Sequence, residues 1–403
     1  MKAEWLLTLC LVITGAAVPA YAVNEFAVIA GDTAVQYAPT ISGNTVVWTD
    51  WRNGSPDIYG KNLATGQELA ICTEAAVQNS PSISGSTVVW YDQRNAVGNI
   101  YSSNLQTGAT SAIATGLDEQ QNPFIGGNTV VWTDGRGEAF NIYSKALAAP
   151  TASAVRTSSL NQDYAVTNGD IVAWLEDDNG VMNLSARKLS TGANYTIASN
   201  VGWSRPAISG STVVWQDSRS GISRIYGKNL STGGEFLVDS VNSEQANPAI
   251  SGDVVVWQDN RNGYWNIYGK NLTTGAEFPL SAGSADQQFP AISGDTVVWE
   301  DARNGGLDIY GALLSSLVLP GDANSDGKVD ADDLGILGTN YGTRSGATWA
   351  MGDFTGDGAV DVGDLGVLGA SYGANTAPVP EPATITLLAA GAMLIASNRR
   401  RRR

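Results

Sequence analysis

Seven tryptophans, Trp48, Trp90, Trp132, Trp174, Trp215, Trp257 and Trp299, are separated by 42, 42, 42, 41, 42 and 42 residues. Each interval holds four short alternating apolar runs joined by Gly-rich turns, with no helical period. A repeat of that length and strand count predicts a mainly β chain, a seven-bladed β-propeller with one blade per tryptophan. After Pro320 the composition changes to two acidic loops, each leading into a short helical pattern. A small α-helical, EF-hand-type calcium module is therefore expected behind the propeller.

The first element is a processing signal. Lys2 precedes an apolar run over 5–17, and Ala20 and Ala22 give the small-x-small pattern of a signal-peptidase site, so residues 1–22 are read as a cleaved signal peptide. Cys10 leaves with it; Cys72 then stands alone and no intramolecular disulfide is expected. Next, Glu25-Phe26-Ala27-Val28-Ile29 aligns with the fourth-strand segments around Glu235-Phe236 and Glu277-Phe278, while the last repeat stops after its third strand at Ile309-Tyr310-Gly311. The N-terminal strand is thus expected to complete blade seven and close the ring, giving a propeller domain over 23–319. A solenoid has no use for such a split unit and would need distinct caps.

Within the repeats, Trp299, Asp301 and Arg303 alternate along one strand face, and so do their counterparts. Asp50 and Arg52, Asp92 and Arg94, Asp134 and Arg136, Asp217 and Arg219, and Asp259 and Arg261 repeat the pair in six of the seven blades, counting Asp301 and Arg303. Catalysis needs one such group, so the recurring pair is read as a structural tie with the tryptophan packed between blades. The repeat resembles the TolB-type propeller repeat over 25–314 through its Pro-x-x-Ser-x-Gly-like segment, apolar strand, Asp-x-Arg-x-Gly and Ile-Tyr pieces. Blade four departs, with Glu176, Asp178 and Leu184-Ser185 at these positions. Three residues before each repeat proline, or its equivalent Ala165, stand Gln36, Gln78, Gln120, Gln162, Trp203, Gln245 and Gln287. The six amides are expected either to satisfy backbone groups of the neighbouring blade or to bind sugar hydroxyls at the channel mouth. Trp203, with Arg205 beside it, is the candidate aromatic platform for a polysaccharide.

Beyond the propeller, Asp322, Asn324, Asp326, the Lys328 carbonyl, Asp330 and Asp333 take positions 1, 3, 5, 7, 9 and 12 of a calcium loop, with Gly327 at the tight turn. Asp353, Thr355, Asp357, the Ala359 carbonyl, Asp361 and Asp364 repeat the set 31 residues on, with Gly358 at the turn. Leu334, Leu337 and Tyr341, and Leu365, Leu368 and Tyr372, then fall on one face of each following helix and are expected to pack together. This tandem resembles a type I dockerin over 321–373, with Asp333 and Asp364 in the last ligand position. The resemblance implies two Ca²⁺ ions, a domain over 320–374, and a cohesin-like or other surface protein as partner. Residues 375–380 form a linker. The tail combines Val379-Pro380-Glu381-Pro382, uncharged residues over 382–398 and five closing arginines, a short transmembrane helix with a basic end. Residues 381–403 resemble the PEP-CTERM sorting signal, which implies an exosortase, only a transient hold on the membrane, and delivery to the surface or matrix of a Gram-negative bacterium.

Composition bounds the chemistry. The chain of 403 residues has no histidine, which removes Ser-His and Cys-His nucleophile pairs and the usual catalytic zinc ligands. Its net charge of -16 is the wrong sign for a nucleic-acid partner. Two function classes are left. One is a non-enzymatic surface protein, with the propeller as a binding or scaffolding disc and the dockerin-like module as calcium-dependent connector. The alternative is a polysaccharide hydrolase or lyase carried by that module, which needs a non-repeated acid pair on the channel face. Asp118, Glu119, Glu138 and Asp163 are off-register but show no recognisable spacing, so the non-enzymatic reading is preferred.

Overall fold

The computed structural model describes residues 25–31, 34–281, 283–316, 319–324, 328–355 and 357–373. They fall into two compact units, residues 25–316 and residues 319–373. The signal segment 1–22, the linker, and the sorting segment with its apolar stretch 382–398 lie outside the described residues, as do Asp326 and Gly327. No helix among the described residues is long and apolar enough to cross a membrane.

In the larger unit 28 strands form seven four-stranded antiparallel sheets, a seven-bladed β-propeller. We number the blades by their tryptophans, from Trp48 to Trp299. First strands of neighbouring blades touch all the way round, including Gln36–Ser42 of blade one against Gln287–Ser293 of blade seven. The Val-Val-Trp run of each second strand is apolar throughout because both faces of the strand are covered. In blade one, Val46 and Trp48 pack against Val298 and Ile309 of blade seven, while Val47 between them faces Val88 and Trp90 of blade two. All seven tryptophans are fully buried in this way.

Polar residues of the repeat stitch neighbours together. The serine ending a first strand accepts a hydrogen bond from the next blade's turn glycine, as in Gly85 N to Ser42 Oγ at 2.9 Å and Gly294 N to Ser251 Oγ at 3.0 Å. Lys270 Nζ donates to the Val238 carbonyl of the preceding blade at 2.7 Å.

The fourth strand paired to Asp308–Leu313 of blade seven is Glu25–Ile29. Its contacts copy those of the other blades. Phe26 pairs with Gly311 as Phe236 does with Gly227 and Phe278 with Gly269. Glycine is required there: a Cβ on Gly227 would lie 2.5 Å from the Phe236 ring, and one on Gly311 would lie 3.0 Å from Phe26. Glu25 meets Arg303 at 2.6 Å, as Glu277 meets Arg261 at 2.7 Å.

The smaller unit has two helices, α1 (Ala331–Asn340) and α2 (Val362–Ser371). Asp330 and Asp361 cap them, and Asp333 and Asp364 complete a capping box in each. Leu319, Val329, Leu337, Phe354, Val360 and Leu368 form its core. The expectation that the whole Leu and Tyr stripes pack together is corrected. Only Leu337 and Leu368 are buried, while Leu334, Tyr341, Leu365 and Tyr372 are 41, 53, 40 and 54% exposed. The core is shared with loop residues on the Leu337 side of the short helices, so the edges of each stripe face outward.

Candidate functional site

The repeated trio forms a closed box. In six blades the buried indole N–H donates to the aspartate Oδ2 at 2.8–3.2 Å. The arginine guanidinium binds the same carboxylate and stands 3.9–4.6 Å over the tyrosine of the third strand. Burial alone would raise the carboxyl pKa values, but the hydrogen bonds from arginine and tryptophan outweigh it. They hold Asp50, Asp92, Asp134, Asp217 and Asp259 below the usual range. With the carboxylate held by the indole and the guanidinium of its own blade, the trio braces the fold, and Arg94 and Arg261 also reach Cys72 and Asp239 of the preceding blade.

The glutamines are no more than 2% exposed. Their amides turn to the preceding blade: Ile142 N donates to Gln162 Oε1 at 3.2 Å, Ile225 N to Gln245 Oε1 at 3.1 Å, and Asn266 Nδ2 to Gln287 Oε1 at 2.7 Å. Gln36, Gln78 and Gln120 are buried likewise. An open ring of amides for sugar hydroxyls is therefore not what they form.

Trp203 behaves differently, and its register is corrected. Gln36, Gln78, Gln120, Gln245 and Gln287 each pair with the aspartate of their blade, but in blade five Val201 takes that place, opposite Asp217. From this pair to the ladder's next stretch the chain runs from Val201 to Ala207 in blade five, two residues more than from Gln36 to Thr40 in blade one. The longer excursion throws Trp203 onto the surface, where it is 61% exposed.

Trp203 lands beside a cleft of about 150 Å³ over blade four. Asn161, Asp163, Leu175, Asp177 and Met182 of blade four line it, with Tyr164, and Gln121 and Phe140 of blade three. Asn161 pairs with Asp177 and Asp163 with Leu175, so strand alternation places both carboxylates on one sheet face. Asp163 Oδ1 accepts from Asn122 Nδ2, Thr133 Oγ1 and Tyr164 N at 2.8, 2.7 and 2.7 Å, and Asp177 Oδ1 from Gly180 N at 2.7 Å. Arg205 lies just behind, 5.8 and 5.7 Å over the Phe124 and Tyr164 rings, its Nη1 3.4 Å from the Pro123 carbonyl. Burial pushes its guanidinium pKa down, against the attraction of Asp163.

Other departures of blade four lie on the opposite face of its second strand from the cleft residues Leu175 and Asp177. Glu176, one carbon longer than aspartate, accepts from Gln162 Nε2 at 2.6 Å, and buried Trp174 Nε1 has no partner among the described residues. Asp177 was missed by sequence reasoning. The available signal was alignment of the blades, since its counterparts Trp51, Gln93, Gly135, Ser218, Asn260 and Ala302 are all uncharged.

In the smaller unit the second acidic loop is knitted by backbone donors. Gly358 N reaches Asp353 Oδ2 at 2.9 Å, Ala359 N reaches Asp357 Oδ1 at 2.8 Å, and Phe354 N and Thr355 N reach Asp364 Oδ1 at 2.8 and 2.9 Å. Asp333 Oδ1 likewise accepts from Ala323 N and Asn324 N at 2.9 and 3.3 Å. Among the described residues, no three acidic or thiol side chains are drawn together as a metal-holding group.

Residues 378–403 match the PEP-CTERM protein-sorting motif. This motif marks a chain for exosortase-dependent export and surface association in Gram-negative bacteria. Solved structures share the propeller. The β-propeller domain of the Trilobed protease from Pyrococcus furiosus, reported with an open velcro topology, has a TM-score of 0.57 at 13% identity, covering 70% of this chain and 96% of that one. Oligogalacturonate lyase from Vibrio parahaemolyticus has a TM-score of 0.53 at 12% identity, covering 73% and 95%. TolB from Acinetobacter baumannii has a TM-score of 0.42 at 16% identity, covering 52% of this chain; the chain spans 55% of TolB's length. At such identities the first two likenesses speak for the fold alone, and the TolB likeness carries no argument. No curated protein sequence matches the chain.

Proposed function

We propose that the chain is an exported surface protein whose propeller holds a saccharide, without cleaving it, in the cleft over blade four. The observation that carries this reading is Trp203, 61% exposed beside Asn161, Asp163 and Asp177. A sugar ring needs an aromatic face for its C–H side and nearby amides or carboxylates for its hydroxyls. The propeller, residues 23–319 after signal-peptidase cleavage, is the rigid disc that presents the cleft, and the N-terminal strand closes it.

Residues 320–374 serve as a calcium-dependent, dockerin-like connector. Asp322, Asn324, Asp326, the Lys328 carbonyl, Asp330 and Asp333 would hold one Ca²⁺; Asp353, Thr355, Asp357, the Ala359 carbonyl, Asp361 and Asp364 would hold the other. Their all-oxygen donor set fits a hard cation, and Gly358 adopts the left-handed turn with φ 84° that such a loop requires. Metal would have to draw the carboxylates together from their backbone partners, so binding and loop ordering are one event. The exposed pairs Leu334 with Leu365 and Tyr341 with Tyr372 suit a protein partner, cohesin-like or another surface protein.

Screening the full chain against an array of plant, algal and bacterial glycans tests the reading; failure to bind any of them would sink it. The alternative, a polysaccharide hydrolase or lyase, has one specific support. Asp163 and Asp177 are a non-repeated acid pair on one face of a cleft. Product release from pectin, xylan or alginate that disappears in Asp177→Asn would establish the enzyme and overturn the binding disc.

A further inference from the structure

We infer that the cleft over blade four selects a saccharide unit bearing an ammonium group, an amino sugar with a free amine, over neutral and uronic units. The inference rests on the saccharide reading of this cleft and adds the sign of its ligand's charge.

Three observations carry it. Two carboxylates, Asp163 and Asp177, line the cleft, and no lysine or arginine does. Three aromatic rings, Phe140, Tyr164 and Trp203, line it with them. Rings around carboxylates favour a cation, through the negative ring faces as well as direct charge attraction.

The second observation is that the charge is local to blade four. Six blades place an arginine two residues after the trio acid, whereas blade four has Asp178 there and Asp177 before it. Where the other blades keep a guanidinium at the end of this turn, blade four presents carboxylates. The third observation concerns the nearest cations, which face elsewhere. Arg156 reaches Glu176 at 3.8 Å, and Arg205 turns to the Pro123 carbonyl. Arg205 feels the charge of Asp163 among the acids, so Asp177 is left as the carboxylate that an incoming ammonium meets. A uronate would face Asp163 and Asp177 with no cation lining the cleft, and its own carboxylate would lose solvation without a partner.

Titration calorimetry of the full chain with three probes tests this: a glucosamine oligomer, its N-acetylated counterpart and a galacturonate oligomer of the same length, at a pH where the amine is protonated. The glucosamine oligomer is expected to bind about tenfold more tightly than the acetylated one, and the galacturonate most weakly. Asp177→Asn keeps the Oδ1 acceptor for Gly180 N and so preserves the turn; it is expected to erase the preference for the glucosamine oligomer over its acetylated counterpart. Equal affinity for the amine and its acetylated form, tighter galacturonate binding, or an unchanged preference in Asp177→Asn overturns the inference and leaves the saccharide reading standing. Failure of every oligomer, while an unrelated glycan binds and competes for Trp203, overturns the inference alone. Failure of all glycans overturns both.

Discussion

Removing residues 23–30 would test whether the N-terminal strand holds the ring shut. Val28 is fully buried, among Val46, Trp48 and Tyr59 of blade one and Val298 and Ile309 of blade seven, and losing it costs about 2 kcal/mol. Phe26 and Ile29, half-buried against the same cluster, add about 2 kcal/mol together. The Lys61 Nζ bond to the Val28 carbonyl adds about 1 kcal/mol. Glu25 and Arg303 are partly exposed, so solvent screening leaves their pair below about 1 kcal/mol. The sum is about 5 kcal/mol, which over the roughly 290 residues of this unit lowers Tm by about 8 °C. The deletion also bares the edge of Asp308–Leu313, so self-association is expected on a sizing column. Thermal unfolding followed by circular dichroism reads the first effect. Val28→Ala, with the strand retained, should show about 2 kcal/mol of it. A deletion variant that melts with the intact chain and stays monomeric would refute the closure.

Three further outcomes are expected. Burial pushes the Glu300 carboxyl from 4.5 up to about 7 despite its hydrogen bond from Ala38 N, so the folded state holds the proton more tightly than the unfolded chain. Its stabilising contribution is full below the unfolded value and is lost as pH rises through the folded one, about 3 kcal/mol in all. Glu300→Gln should flatten that part of the stability curve, and a variant with the wild-type slope between these values would contradict the assignment. The trio aspartates, with lowered pKa values, act in the opposite sense and weaken the fold as pH falls below the carboxylate range. For the acidic loops, calorimetry of the full chain is expected to find two calcium sites and Asp357→Ala one, with helical signal rising on calcium addition and β signal constant. Undiminished stoichiometry in Asp357→Ala would exclude the second loop.

The blades were legible because their signals are periodic. Tryptophans near 42 apart and an apolar run with both faces covered leave little freedom for any other arrangement. The structural role of Asp301 and Arg303 was legible for the same reason, since a pair in six blades cannot be a unique site. Trp203 was singled out as the break in the glutamine series, yet its register was misplaced. Counting back from Pro206 assumes a bulge of constant length, and only the pairing of Val201 with Asp217 reveals the excursion over 202–206. Asp163 and Asp177 are 14 positions apart and share a face only through the ladder of blade four, a relation that linear spacing does not display. The exposure of Leu334 and Tyr341 was hidden by helical periodicity, which finds an apolar stripe but not how much of it a small core can cover.

The most direct test of the central claim is the affinity of the full chain and of Trp203→Ala for the best glycan found by array. Trp203 is exposed, so the variant should keep the wild-type melting temperature. Loss of ring stacking and apolar contact should weaken binding by about 1 to 3 kcal/mol, roughly fivefold to 150-fold. Equal affinity in the wild type and Trp203→Ala would show that the saccharide is held elsewhere and that the cleft over blade four is not the binding site.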